Sequence, residues 1–210
     1  LRTHTKIPVR EEVKTALEEK LLAMQKEGIA PDVITFAGNG EPTMHPEFEG
    51  IIEDTIATRN CYFPNAKIAV LSNSTMLHKE GVFRALNKIE DNILKLDSVL
   101  DSRIQQLNVP NSPAFTFERL LGQLCRFNGN LIIQTMFLQG EIDGKSVDNT
   151  TEEEIKGWIN ALKKIKPKQV MIYTIDRETP LKGLKKVSKE ALDAIADRAR
   201  KEGFDVTVSY

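Results

Sequence analysis

Two hundred and ten residues make one domain of ordinary size or two small ones, able to bury roughly 70% of the surface of the unfolded chain without staples. Basic residues number 29 against 30 acidic ones, a net charge of −1, which argues against a polyanion-binding stripe as the chief role and leaves room for a local basic patch. Two cysteines, Cys61 and Cys125, are too few and too distant for a disulfide framework, so a reducing, cytoplasmic setting is expected.

No apolar run approaches the roughly 20 residues of a bilayer span, and Leu1-Arg2-Thr3-His4-Thr5-Lys6 lacks the apolar core of a signal peptide. A start at Leu1 rather than Met reads as a fragment of a longer product. The spacing of Val13, Leu17, Leu21 and Met24 predicts an amphipathic helix ended by Gly28 and Pro31. A β-branched strand at 33–36 follows, stopped by Gly38-Asn39-Gly40 and Pro42. Phe48, Ile51, Ile52 and Ile56 then mark a second helix, with Pro46 suited to its first position.

The pattern repeats. A strand at 67–71 leads through Ser72-Asn73-Ser74-Thr75 to a helix over Phe83 and Leu86, and a third strand covers 92–97. After a loop at 110–113, Phe117, Leu120, Leu121 and Leu124 form a helix face, and 131–138 reads as a long buried strand. Thr151-x-x-Glu154 is a capping box before a helix with Ile155, Trp158, Ile159, Leu162 and Ile165 inward. A strand at 169–174, a helix capped by Ser188 through Leu192, Ile195 and Ala199, and a closing strand at 204–208 complete six strands alternating with helices. Spacing near that of βαβ units predicts a mostly parallel α/β sheet in one domain over 1–210, either an open or partly closed βα barrel or a doubly wound sheet.

Ligands of parallel α/β folds bind beyond the carboxyl ends of strands. The residues there are small and polar: Gly38 to Thr43, Ser72 to Thr75, Asp97-Ser98, Gln139-Gly140-Glu141, and Thr174 with Asp176-Arg177. Within 93–97, Lys95 and Asp97 share one strand face and Leu94 with Leu96 the other. That places a charge pair on the face turned from the helices, as a structural ion pair or as part of a ligand site. Lys95, Gln134 and Arg177 suggest a polar or anionic substrate. A dinucleotide fingerprint would need a third glycine where Thr43 stands. His4, His45 and His78 lack metal-ligand spacing. Trp158, Phe127 and Phe137 fall at core spacing. A second reading, an α/β enzyme or binding module holding a phosphate or carboxylate ligand, would use Glu41, Asp97 and Asp176.

Gly38-Asn39-Gly40-Glu41-Pro42-Thr43 after a strand resembles the Gly-Gly-Glu-Pro motif of radical S-adenosylmethionine enzymes, and Leu71 to Thr75 is similar to the Ser-Asn-Gly/Ser-Thr turn that follows it in that superfamily. The order continues through Leu96-Asp97-Ser98, Gln134 to Gly140 and Ile172-Tyr173-Thr174, so the resemblance covers essentially the whole chain. It is nearest to iron–sulfur oxidoreductases related to the tRNA wyosine-synthesising enzymes. It implies a partial (β/α)6 barrel, a [4Fe–4S] cluster held by three cysteines, and S-adenosylmethionine whose reductive cleavage yields a hydrogen-abstracting 5′-deoxyadenosyl radical.

Carried over, the backbone of Asn39 to Pro42, with Gly38, Gly40 and Glu41, would meet the methionine amino group. Ser72 and Asn73 would hold the carboxylate or ribose, Asp97 would lie near ribose or substrate, and Gln134 with Tyr173 would face the nucleoside. Lys95 and Arg177 would face substrate. The resemblance also implies an electron donor such as flavodoxin or ferredoxin and a substrate that is a small molecule, protein or RNA; the net charge lends RNA no support. Asn39 departs from the motif's first glycine. The larger departure is that no Cys-x3-Cys-x2-Cys run occurs in 1–210, so the cluster loop and one strand are expected upstream of Leu1, and the fragment by itself is expected to bind no cluster.

Overall fold

A computed structural model describes residues 7–37, 40–108, 114–176 and 183–210. The chain forms two compact units, one of residues up to Ser72 together with His78–Asn92, the other of Asn73–Leu77 together with Ile93–Tyr210.

The first unit contains α1 (Arg10–Lys26), β1 (Val33–Phe36), a 3-10 turn (Pro42–Met44), α2 (Phe48–Tyr62), β2 (Lys67–Ser72) and α3 (Glu80–Asn87). β1 and β2 are parallel, with Val33 opposite Lys67 and Phe36 opposite Val70. The Glu12 side chain accepts from the Val9 N–H at 3.0 Å and closes the start of α1. Pro46 does not open α2, because the 3-10 turn comes first and His45 is held in the bend: its Nδ1 accepts from the Glu47 N–H at 3.0 Å, and its Nε2 lies 2.8 Å from the Pro8 carbonyl oxygen. α2 buries Phe48, Ile51 and Ile52, each worth about 1.5–3 kcal/mol of transfer free energy.

The second unit carries β3 (Asp91–Lys95, from Ile93 onward), α4 (Asp101–Asn108), α5 (Phe117–Cys125), β4 (Ile132–Ile142), β5 (Lys145–Asp148), α6 (Glu152–Ile165), β6 (Gln169–Thr174), β7 (Leu184–Lys186), α7 (Lys189–Lys201) and β8 (Val206–Ser209). β3, β4, β6 and β8 lie side by side and parallel. From Leu138 the strand β4 changes partners, pairing antiparallel with β5 on one side and β7 on the other. The mostly parallel α/β reading therefore holds, and among the described residues the strands number eight rather than six through the two antiparallel pieces. Gln139-Gly140-Glu141, expected as a loop, is strand. Gly140 has φ +132, and a Cβ there would sit 2.1 Å from the Gly183 carbonyl oxygen, so only glycine lets β4 and β7 approach.

Alternation decides which residues meet the helices. Leu94, Ile133, Phe137, Val170 and Ile172 are buried with Leu162, Leu192 and Ile195 of α6 and α7. Trp158 donates from Nε1 to Thr135 Oγ1 at 2.9 Å, Thr135 donates to the Leu96 carbonyl oxygen at 2.8 Å, and the Trp158 ring meets Phe137 edge-on at 5.4 Å. The polar atoms of Trp158 and Thr135 thus have partners. Ser188 caps α7 through the Ala191 N–H at 3.2 Å. Thr151 caps α6 through the Glu154 N–H at 3.3 Å, but Glu154 does not turn back to close the expected box. It is buried, accepting from Ser98 Oγ at 2.6 Å and from the Val99 N–H at 2.9 Å. Among the described residues no helix is long and apolar enough to cross a membrane.

Candidate cofactor and substrate site

Period-two alternation gives the second unit a contrasting face. Residues on it are only half-buried: Lys95 on β3, Gln134 and Met136 on β4, Met171 and Tyr173 on β6, with Thr207 and Ser209 on β8 exposed. Lys95 lies level with Gln134, Gln134 with Met171, and Met136 with Tyr173. A band of polar groups therefore adjoins two thioethers and a phenol ring near the carboxyl ends of parallel strands.

Asp97, just beyond β3, is the most enclosed member, with its side chain 2% exposed. Oδ1 accepts from the Met136 N–H at 2.9 Å and Oδ2 from Asn108 Nδ2 at 3.2 Å, while Lys95 Nζ stands 3.4 Å from Oδ2. Asp97 raises the proton affinity of Lys95 above the ordinary lysine range, against the opposing effect of burial. Lys95 Nζ also lies 5.8 Å from the centre of the Tyr173 ring. Burial raises the pKa of Tyr173, and Asp97 adds to this while Lys95 opposes it. At neutral pH the pair is an ammonium beside a neutral phenol.

The backbone under Asp97 is pinned by Asn149, which is 1% exposed. Its Nδ2 donates to the carbonyl oxygens of Asp97 and Met136, both at 2.7 Å, and its Oδ1 accepts from the Leu138 N–H at 2.8 Å. Ser74, with φ 67, donates from Oγ to the Lys95 carbonyl oxygen at 2.9 Å. Asn73 Oδ1 accepts from both the N–H and the hydroxyl of Thr75, at 3.0 and 2.7 Å, so this amide oxygen shapes its own turn.

In the first unit, Glu41 precedes Pro42 and accepts from the N–H of Thr43 at 3.1 Å and from its hydroxyl. Gly40 has open space where a Cβ would stand, and Ser72 ends β2, buried. Gly38, Asn39 and Arg177 lie outside the described residues. Of the residues expected from sequence, the second unit unites Lys95, Asp97, Gln134 and Tyr173. Asn108, Asn149, Met136 and Met171 join them as additions to that set. The two methionines follow from Gln134 and Tyr173 by strand parity, whereas Asn149 sits in a polar stretch, Asp148 to Thr151, that reads as loop.

Cys61 is exposed on α2, and Cys125, half-buried, ends α5. Among the described residues no three His, Cys, Asp or Glu side chains are grouped to hold a metal ion. These residues do not fit an iron–sulfur cluster. The donor set of the second unit does fit a nucleoside-type ligand, since it offers an aromatic ring and soft apolar groups beside a few hydrogen-bonding groups.

No family model matches the chain. A UPF0026 protein of Synechocystis is 30% identical over 154 residues, covering 71% of this chain and 52% of the relative. The chain thus spans about half the length of this curated relative. A radical SAM methyltransferase from Sphaerobacter thermophilus superposes with TM-score 0.71 at 15% identity, covering 97% of this chain and 58% of that one. The chain has the radical SAM fold. Streptococcus suis SuiB bound to S-adenosylmethionine matches with TM-score 0.68 at 13% identity over 100% of this chain and 45% of SuiB. The fold class is therefore the one shared with these radical SAM enzymes, as the Gly38 to Thr43 and Leu71 to Thr75 motifs imply.

Proposed function

We propose that this chain is the S-adenosylmethionine-binding core of a radical SAM enzyme whose cluster cysteines are supplied by sequence outside residues 1–210. When bound, cluster and cofactor would supply an electron and a cleavable sulfonium, giving a 5′-deoxyadenosyl radical able to take a hydrogen atom from substrate. One observation carries the reading: within a fold shared with radical SAM enzymes, Gln134, Met136, Met171 and Tyr173 form one half-buried band on one face of the parallel strands β4 and β6.

On this reading the Gly38, Asn39, Gly40, Glu41 and Pro42 segment receives the methionine amino group, and Ser72 and Asn73 its carboxylate or the ribose. Gln134 and Tyr173 take the nucleoside, with Asp97 ordering the strand ends beside them. A flavodoxin- or ferredoxin-like donor and a cytoplasmic setting belong to the same proposal. The carboxylate-centred alternative finds little support: Asp176 is 73% exposed and 3.7 Å from Lys186 Nζ, and Glu41 is occupied by Thr43.

The test is anaerobic reconstitution of the intact gene product. Iron–sulfur absorbance and release of 5′-deoxyadenosine under reducing conditions are expected. Tyr173→Ala should weaken S-adenosylmethionine binding by about tenfold, the scale of one lost stacking contact. A reconstituted protein with neither absorbance nor cleavage would end the proposal.

A further inference from the structure

We propose that the Lys95 ammonium anchors an anionic group, a carboxylate or phosphate, carried by the substrate. The identity of the ligand as substrate rests on the functional reading above, whereas the anion site itself rests on the geometry of the second unit. A Lys–Asp pair at the strand ends can offer a ligand either charge, and here the two are presented unequally. Asp97 is enclosed and accepts from a backbone N–H, an amide and the ammonium. A carboxylate so saturated has little left to offer a ligand. Lys95 is the accessible partner, with its side chain 26% exposed.

An ammonium carries three donors. Among the described residues Asp97, at a long 3.4 Å, and Tyr173 are the partners that bear on it, fewer than its three donors. Lysine side chains at a protein surface usually extend their heads into water. This one instead lies over the Tyr173 ring, and Ser74 holds its backbone carbonyl. Met136 and Met171 border the same face. Their low polarity strengthens an ion pair formed at Nζ relative to one in open water. The result is a fixed positive point beside an apolar, aromatic surface, suited to a molecule with an anionic end and an apolar or ring-bearing body.

The experiment uses the intact gene product and inorganic phosphate as probe, read by phosphorus NMR line broadening, with S-adenosylmethionine affinity measured in parallel. Saturable broadening is expected for the wild type. Lys95→Gln should weaken it by about tenfold or more and Lys95→Arg by no more than about threefold, both with unchanged circular dichroism. S-adenosylmethionine affinity should change by less than about threefold in Lys95→Gln.

Phosphate binding that is absent from the wild type, unaltered in Lys95→Gln, or lost equally in a folded Lys95→Arg variant would overturn the anion site. A parallel tenfold loss of S-adenosylmethionine affinity in Lys95→Gln would assign the ammonium to the cofactor's carboxylate and overturn the substrate assignment. Failure of the wild type to bind or cleave S-adenosylmethionine strikes the functional reading alone, because the phosphate arm needs no cofactor.

Discussion

Asn149→Ala removes the three hydrogen bonds by which one buried amide joins the carbonyl oxygens of Asp97 and Met136 and the Leu138 N–H. At about 1 kcal/mol net apiece the loss is about 3 kcal/mol, and leaving those backbone groups unsatisfied raises the figure to about 4 kcal/mol. For a chain of this length that corresponds to a fall in Tm of about 6–16 °C. Trp158, the single tryptophan, lies in the same unit, buried and bonded to Thr135, so urea unfolding followed by its fluorescence reports on the region concerned. The midpoint should drop with the slope unchanged. Asn149→Asp retains an acceptor for the Leu138 N–H but turns an oxygen toward two carbonyls, so it should be at least as damaging at neutral pH. A loss below about 1 kcal/mol for Asn149→Ala, or wild-type stability for Asn149→Asp, would refute the assignment of Asn149 as the clamp.

Glu154→Leu should cost about 3–5 kcal/mol in the same assay, because it strips the Val99 N–H of its acceptor and Arg103, 3.6 Å away, of its counter-charge. Glu154→Gln keeps an acceptor for the Val99 N–H and should cost about half as much; wild-type stability in Glu154→Gln would show that the carboxylate's charge is immaterial. In the first unit, burial pushes the Glu90 carboxyl upward, but the Ile68 N–H at 2.8 Å and Arg59 at 3.0 Å outweigh it, so the pKa lies below its ordinary 4.5. A depressed carboxylate stabilises the fold above its unfolded pKa and loses that contribution as pH falls through the folded value. Denaturant titrations from neutral pH to below 4.5 should therefore show a decline that is smaller in Glu90→Gln, and identical pH profiles would exclude Glu90 as a source.

Strand parity makes much of the candidate site legible in the amino-acid order alone. Lys95 and Asp97 fall on one face because side chains alternate, and the half-buried band of Gln134, Met136, Met171 and Tyr173 obeys the same rule. The motif-bearing segments after β1 and β2 are legible because glycines and small polar residues punctuate apolar runs. The features that local pattern does not reveal depend on partners distant in sequence. α4 buries only Ile104 and so lacks a helical stripe. β5 and β7 are short and polar, and they are strands because β4 runs on past Leu138 and offers them its edges. Glu154 carries a valid capping signal, yet the buried Ser98 hydroxyl and Val99 N–H outcompete its own helix start.

The division of β4 has a consequence for how this protein could diverge. Its first six residues set the level of Gln134 and Met136 against β3 and β6, while its outer part belongs to a three-stranded ribbon. Insertions at the ribbon tip, around Asp143 and Gly144, would lengthen an outlying appendage without displacing the band. Deleting a single residue between Ile132 and Leu138 would instead swap the two faces along the strand, sending Phe137 onto the half-buried face and Met136 into the core. Natural length variation among related chains should therefore collect at the hairpin tip and spare the preceding segment.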